Sequence, residues 1–247
     1  MRKFFFLALT IVTIAANAQD SHNFPDCLRT SEYFKGGYHA LVERMLLPQS
    51  TEDEYNDLRY GRIWGLIIRP SFSPEESIYC IKTGSGFKLV MRMPEKSIWS
   101  AARDKTHDRI RTTIPGIMMV RNNVRWEDIE LDMKVQVKEL DITSEQASVL
   151  SELFRMAINT STSLMSSSGL DGETTVFFYD GCAAECWSPE EGKLKRLIDI
   201  RQAMHNAIDN NDNSIIEAVI PEAKALTLEF RELLPDWAKE YLKLTKE

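Results

Sequence analysis

The sequence predicts an α+β fold: antiparallel strands, a meander plus a later hairpin, packed with several helices concentrated in the C-terminal half. Three observations lead there. Residues 63–93 hold three apolar, β-prone runs separated by short turn sequences, and in the third Phe87, Leu89, Met91 and Met93 alternate with Lys88, Val90 and Arg92. Residues 174–179 and 182–187 flank Asp180-Gly181, a pair that accepts positive φ at little cost, so they read as a hairpin. From residue 143 onward, apolar residues recur mostly at helical spacing. Strands first and helices later is the order of an α+β chain, not of alternating βαβ units.

In chain order, Arg2-Lys3, the apolar run 4–16 and the small-residue pattern Ala16-Asn17-Ala18 make a secretory leader with cleavage after Ala18. Residues 1–18 are thus a signal peptide and 19–247 a single α+β domain, with no membrane span once the leader is gone, because no later segment reaches about 18 apolar residues. Phe34, Tyr38, Leu41, Val42, Met45 and Leu46 define a first helix, closed by Pro48. Gly36-Gly37 lie inside that pattern and weaken it by about 1 kcal/mol each. Thr51 and Glu54 form a capping box before a short helical turn.

The run 63–69, interrupted by Gly65 and closed by Pro70, is the first strand of the meander; 77–82 and 87–93 are the next two, joined at Thr83-Gly84-Ser85-Gly86. Residues 96–111 are polar and locally basic and read as an extended excursion; 117–120 are strand-like again. Leu131, Met133, Val135 and Val137 alternate with Asp132, Lys134, Gln136 and Lys138, a strand with one buried and one wet face. Thr143 with Gln146 is a capping box for a helix over Ala147, Leu150, Leu153, Phe154, Ala157 and Ile158. After the hairpin, Ser188 with Glu191, and Pro189 at the first helical position, start another helix. Residues 209–213 break it, a further apolar stripe follows Pro221, and Asp236 caps a last helix carrying Trp237 and Tyr241.

The chain carries 30 basic and 37 acidic residues, and its net charge of −7 becomes −9 once Arg2 and Lys3 leave with the leader. That balance excludes general nucleic-acid binding, which needs a basic surface. Export implies an oxidising compartment, where Cys27, Cys80, Cys182 and Cys186 can form up to two disulfides in any of three connectivities. On one regular strand, Cys182 and Cys186 stand roughly 13 Å apart at about 3.3 Å per residue, beyond the reach of about 7 Å that a bridge tolerates.

Three local patterns occur together: Ile63-Trp64 running to Phe72-Ser73-Pro74, then Lys96-Ser97-Ile98-Trp99, then Leu170-Asp171-Gly172 running to Trp187-Ser188-Pro189. In these the chain resembles a loose group of small secreted proteins of Gram-negative bacteria with no assigned activity. The resemblance implies export to the periplasm or beyond and an α+β fold, and it brings no catalytic residues.

Gly84-Ser85-Gly86 lacks the third glycine and the following helix of a phosphate loop, and neither a zinc motif nor a nucleophile elbow is present. The spacing Cys182-x3-Cys186 is not that of a redox or tight zinc pair. No catalytic residue, metal or cofactor is therefore assigned. The candidate binding residues are Trp99, Arg103 and His107, in the long basic stretch 96–111, since tryptophan and arginine dominate interface energies. The expectation is an exported, non-catalytic protein that binds a protein or glycan in the cell envelope; the alternative is a periplasmic hydrolase with a dispersed active site.

Overall fold

A computed structural model describes residues 28–30, 37–47, 64–84, 86–108, 128–162 and 171–244. The expected leader, Cys27, the capping box at Thr51 and the strand-like residues 117–120 lie outside them.

The described chain is α+β. Seven strands, β1 (Arg29–Thr30), β2 (Trp64–Pro70), β3 (Glu76–Thr83), β4 (Gly86–Pro94), β5 (Val135–Ile142), β6 (Glu173–Tyr179) and β7 (Cys182–Trp187), form one sheet in the order β1-β7-β6-β2-β3-β4-β5. All neighbours are antiparallel. Six helices accompany it: α1 (Tyr38–Leu46), α2 (Ile98–Asp108), α3 (Ser144–Asn159), α4 (Gly192–Asn210), α5 (Asn213–Glu232) and α6 (Asp236–Leu244). The meander is β2-β3-β4, and the hairpin β6-β7 joins it along β2, with Trp64 opposite Tyr179 and Pro70 opposite Glu173.

Both faces of the sheet are covered, because its strands alternate between two apolar sets. Leu66, Ile68, Ile78, Leu89, Met91, Leu140 and Phe177 face α3, α4 and α5. Ile67, Tyr79, Val90, Val176 and Phe178 face α1 and α2. In the first layer Phe154 of α3 meets Trp64 and Phe177 edge-on, with ring centroids 5.2 and 5.1 Å apart. The Asp180-Gly181 turn has φ of 51° and 70°, as the hairpin requires. Thr143 and Gln146 form the expected reciprocal capping box.

Several boundaries differ from the sequence reading. Helix α1 starts after the glycines: Gly37 is its N-cap at φ 70°, a left-handed value that glycine adopts freely, so the expected weakening inside the helix does not apply to it. Strand β5 lies further along the chain than expected. Its buried residues are Leu140 and Ile142, on the face opposite Val137, which is exposed. Ser188 caps no helix. Its Oγ instead accepts from the Glu173 N–H at 2.8 Å and its own N–H donates to the Glu173 carbonyl, closing the hairpin, while α4 begins at Gly192. Helix α5 runs through Pro221, because Ile216, Ile220, Ala223, Leu226 and Phe230 continue one buried stripe across it.

Candidate functional site

The stretch 96–111, read as an extended excursion, contains helix α2. The cause is remote in sequence. Glu75, 1% exposed just before β3, places its carboxylate at the start of α2. Its Oε2 accepts from the Ile98 N–H at 2.6 Å, and its Oε1 from the Trp99 N–H at 3.0 Å and the Ser97 hydroxyl at 3.2 Å. The Tyr38 hydroxyl donates to the same Oε1. A full negative charge thus satisfies N–H groups that a helix start leaves open, where the helix dipole favours an anion. Ile98 and Ala102 bury the inner side of α2 against the sheet.

The outer side carries two of the expected binding residues, Trp99 and Arg103, one turn apart. Trp99 is 45% exposed, and Arg103 is exposed. The Trp99 ring stands at 85° to Tyr38 with centroids 5.1 Å apart. His107 belongs to the same helix backbone; its side chain is outside the described set. The three residues therefore share one helix in place of the expected extended excursion.

Beside this helix, on the same face of the sheet, three ionisable residues from distant parts of the chain converge. Arg69 of β2 reaches His39 of α1, with Nη1 2.6 Å from Nδ1, and Glu185 of β7 at 3.2 Å through Nη2. Burial, and then the Arg69 charge, hold the His39 imidazole below its ordinary pKa, against the pull of Glu185. Glu43 follows His39 by one turn of α1, and burial pushes its carboxyl up to about 7. The arrangement holds an imidazole against a guanidinium, with a carboxyl one turn further along α1. Sequence reading placed His39 on a helix and missed the cluster.

The opposite face has its own polar line, on α4. Arg201, His205 and Asp209, successive turns of one helix, pair respectively with Glu173 of β6, Glu76 of β3 and Lys138 of β5. His205 Nδ1 lies 2.9 Å from Glu76 Oε1, and Lys138 Nζ lies 2.5 Å from Asp209 Oδ1. The Glu76 hydrogen bond raises the His205 pKa against the effect of burial.

Cys80, Cys182 and Cys186 are free thiols, so the expected disulfide is not found among the described residues. The register explains why these three do not pair. Cys182, Tyr179, Trp64 and Cys80 form one row across β7, β6, β2 and β3. Three strand spacings of about 4.8 Å separate its ends, and Cys186 lies four residues along β7. Burial pushes the thiols of Cys80 and Cys186 up to about 12. Among the described residues, no group of three or more His, Cys, Asp or Glu side chains could hold a metal ion, and no helix is long and apolar enough to cross a membrane.

Comparison of the chain with protein-family models, with curated proteins and with solved structures finds no match. Glu75 and Glu76 read in sequence only as acids at the start of an element. The signal that could have separated them is their place at the mouth of a strand in a sheet covered on both faces, where adjacent side chains point into opposite layers.

Proposed function

We propose that the protein is an exported, non-catalytic binding protein of the cell envelope, and that it engages a protein or glycan through the outer side of α2, with Trp99 and Arg103 as contacts. The observation that carries this reading is the state of Trp99: a large aromatic side chain 45% exposed, yet with its backbone N–H on the buried Glu75 and its ring against Tyr38. A partly exposed aromatic that is already ordered loses little conformational freedom on binding. Export is supported by the leader-like sequence before Gln19 and by the resemblance to small secreted proteins. Intact-mass analysis of the extracytoplasmic form should begin at Gln19, and recovery of only the uncleaved chain from the cytoplasm would refute export.

The binding test uses immobilised protein, probed with envelope glycan fragments and with solubilised envelope proteins. Combined Trp99→Ala and Arg103→Ala changes should weaken retention of a specific ligand at least about tenfold, about 1.4 kcal/mol, with an unchanged unfolding midpoint. Equal retention by the variant, or no specific ligand for the parent, overturns the reading.

A second reading, a hydrolase with dispersed catalytic residues, is favoured by the grouping of His39, Arg69 and Glu185 with Glu43 one turn along α1. It requires turnover of an envelope substrate by the pure protein, abolished by His39→Ala and by Glu43→Gln. Turnover that survives both changes would place any active site elsewhere.

A further inference from the structure

We infer that helix α4 is a proton-sensitive latch: protonated His205 draws it onto the sheet through Glu76, and loss of that proton loosens the turns around His205 from β3. The geometry is a ladder of three ionic contacts spaced one helical turn apart, each to a different strand, so that α4 is tied to the sheet at Arg201–Glu173, His205–Glu76 and Asp209–Lys138. Only the middle rung changes charge near neutrality. Its acceptor is buried: the Glu76 side chain is 10% exposed, against 27% for His205.

The groups facing His205 are Glu76 from β3 and, on α4 itself, Arg201 one turn before and Asp209 one turn after. Lys138 of β5 neutralises Asp209, and Glu173 of β6 engages Arg201. Glu76 is therefore the one anion near His205 that lacks a fixed cation of its own in this ladder. With His205 protonated, the Nδ1–H···Oε1 bond joins opposite charges away from water. With His205 neutral, the same carboxylate remains buried with only a neutral donor, and an unbalanced buried charge is costly.

The folded pKa of His205 is raised from 6.5. The folded state thus binds more protons than the unfolded state as pH climbs above that value. The latch contributes fully below about 6.5 and is lost as pH rises through the folded pKa. The outer rungs, Arg201–Glu173 and Asp209–Lys138, contain no imidazole, so they hold while the middle one fails.

The experiment is hydrogen exchange on the full chain at pH 5.5 and 8.5, corrected for intrinsic rates. It reads the protection of residues 203–210 relative to buried amides of α5. In the parent that ratio should fall at the higher pH, because the proton that His205 binds more tightly in the folded state is lost there; in His205→Gln it should be the same at both. A parent ratio that does not change, or a His205→Gln ratio that still falls, overturns the inference. Should His205→Gln fail to fold, proton NMR titration of the His205 ring in the parent decides together with the parent ratio: a midpoint at or below 6.5 refutes the latch, and one above it with the falling ratio supports it.

Discussion

Glu75→Gln isolates the contact on which helix α2 depends. The substitution keeps the size of the side chain and removes its charge, and it replaces a two-oxygen acceptor with one oxygen and a donor. Four donors converge on that carboxylate: the N–H groups of Ile98 and Trp99 and the hydroxyls of Ser97 and Tyr38. A single amide oxygen accepts about two of them, and the new NH2 group faces the others. Hydrogen bonds to charged groups contribute about 1.5–3 kcal/mol each, and a buried donor left without an acceptor costs about 1–3 kcal/mol. Because the four share one acceptor group, their losses do not add, and a total of about 3–5 kcal/mol is expected. That is a large fraction of an ordinary folding free energy of about 5–15 kcal/mol. Urea unfolding followed by circular dichroism gives the total; hydrogen exchange of residues 98–102 shows whether the loss is local to α2. Tyr38→Phe, which removes one donor, should cost only about 1 kcal/mol and couple strongly to Glu75→Gln in a double-mutant cycle. A Glu75→Gln loss below about 1 kcal/mol, with α2 protected as in the parent, would show that the helix does not rely on this carboxylate.

Gly65→Ala should destabilise by about 3 kcal/mol, the upper end for overpacking, because the added methyl would lie 2.3 Å from the Ile78 carbonyl oxygen and 2.6 Å from the Tyr79 Cα, which are backbone atoms of the adjacent strand; an unchanged urea midpoint would contradict that packing. Glu43 has a folded pKa raised from 4.5 to about 7, so the folded state binds the extra proton and stability falls as pH rises across that window. Glu43→Gln should therefore be more stable than the parent by about 1–3 kcal/mol at pH 8 and equal to it at pH 4; equal stability at both would mean the carboxyl is well solvated. Native thiol labelling should modify Cys182 rapidly and leave Cys80 and Cys186 until the chain unfolds, since among the described cysteines Cys182 is exposed, whereas Cys80 and Cys186 are buried with thiols pushed up to about 12; fast native labelling of either buried cysteine would refute the layer assignment.

The parts of the fold legible in sequence were those whose cause lies within a few residues. The Asp180-Gly181 turn, the capping box of Thr143 and Gln146 and the alternation of β4 each carry their own physical reason locally. Helix α2 does not. Among its residues with described side chains only Ile98 and Ala102 are buried, and its N-terminal partner is Glu75, separated from it by the whole of β3 and β4. The segment of β5 is legible in part: Leu131, Met133 and Val135 pack inward as the alternation predicts, but alternation gives a period and not a boundary, so the exposure of Val137 and the burial of Leu140 and Ile142 on the other face, under α4 and α5, do not show in it. Pro221 reads as a stop by propensity, yet the buried stripe of α5 overrides it. The cluster of His39, Arg69 and Glu185 needs three distant segments laid side by side by the sheet, and no spacing in the chain announces it.

The strand order also sets the sequence of events by which this sheet can be assembled. Strands β2, β3 and β4 follow one another closely along the chain and pair as neighbours, so their contacts close small loops and can form early. The hairpin β6-β7 can also form by itself, but it must find β2 across more than a hundred residues. Strand β1 comes last of all. Its two residues near the start of the chain pair with Glu185 and Ala184 on β7, so a chain emerging N-terminus first holds that segment unpaired until almost the entire sheet has been made. The edge of the sheet is closed by the piece of chain that waited longest, and a folding chain exposes the open edge of β7 until then.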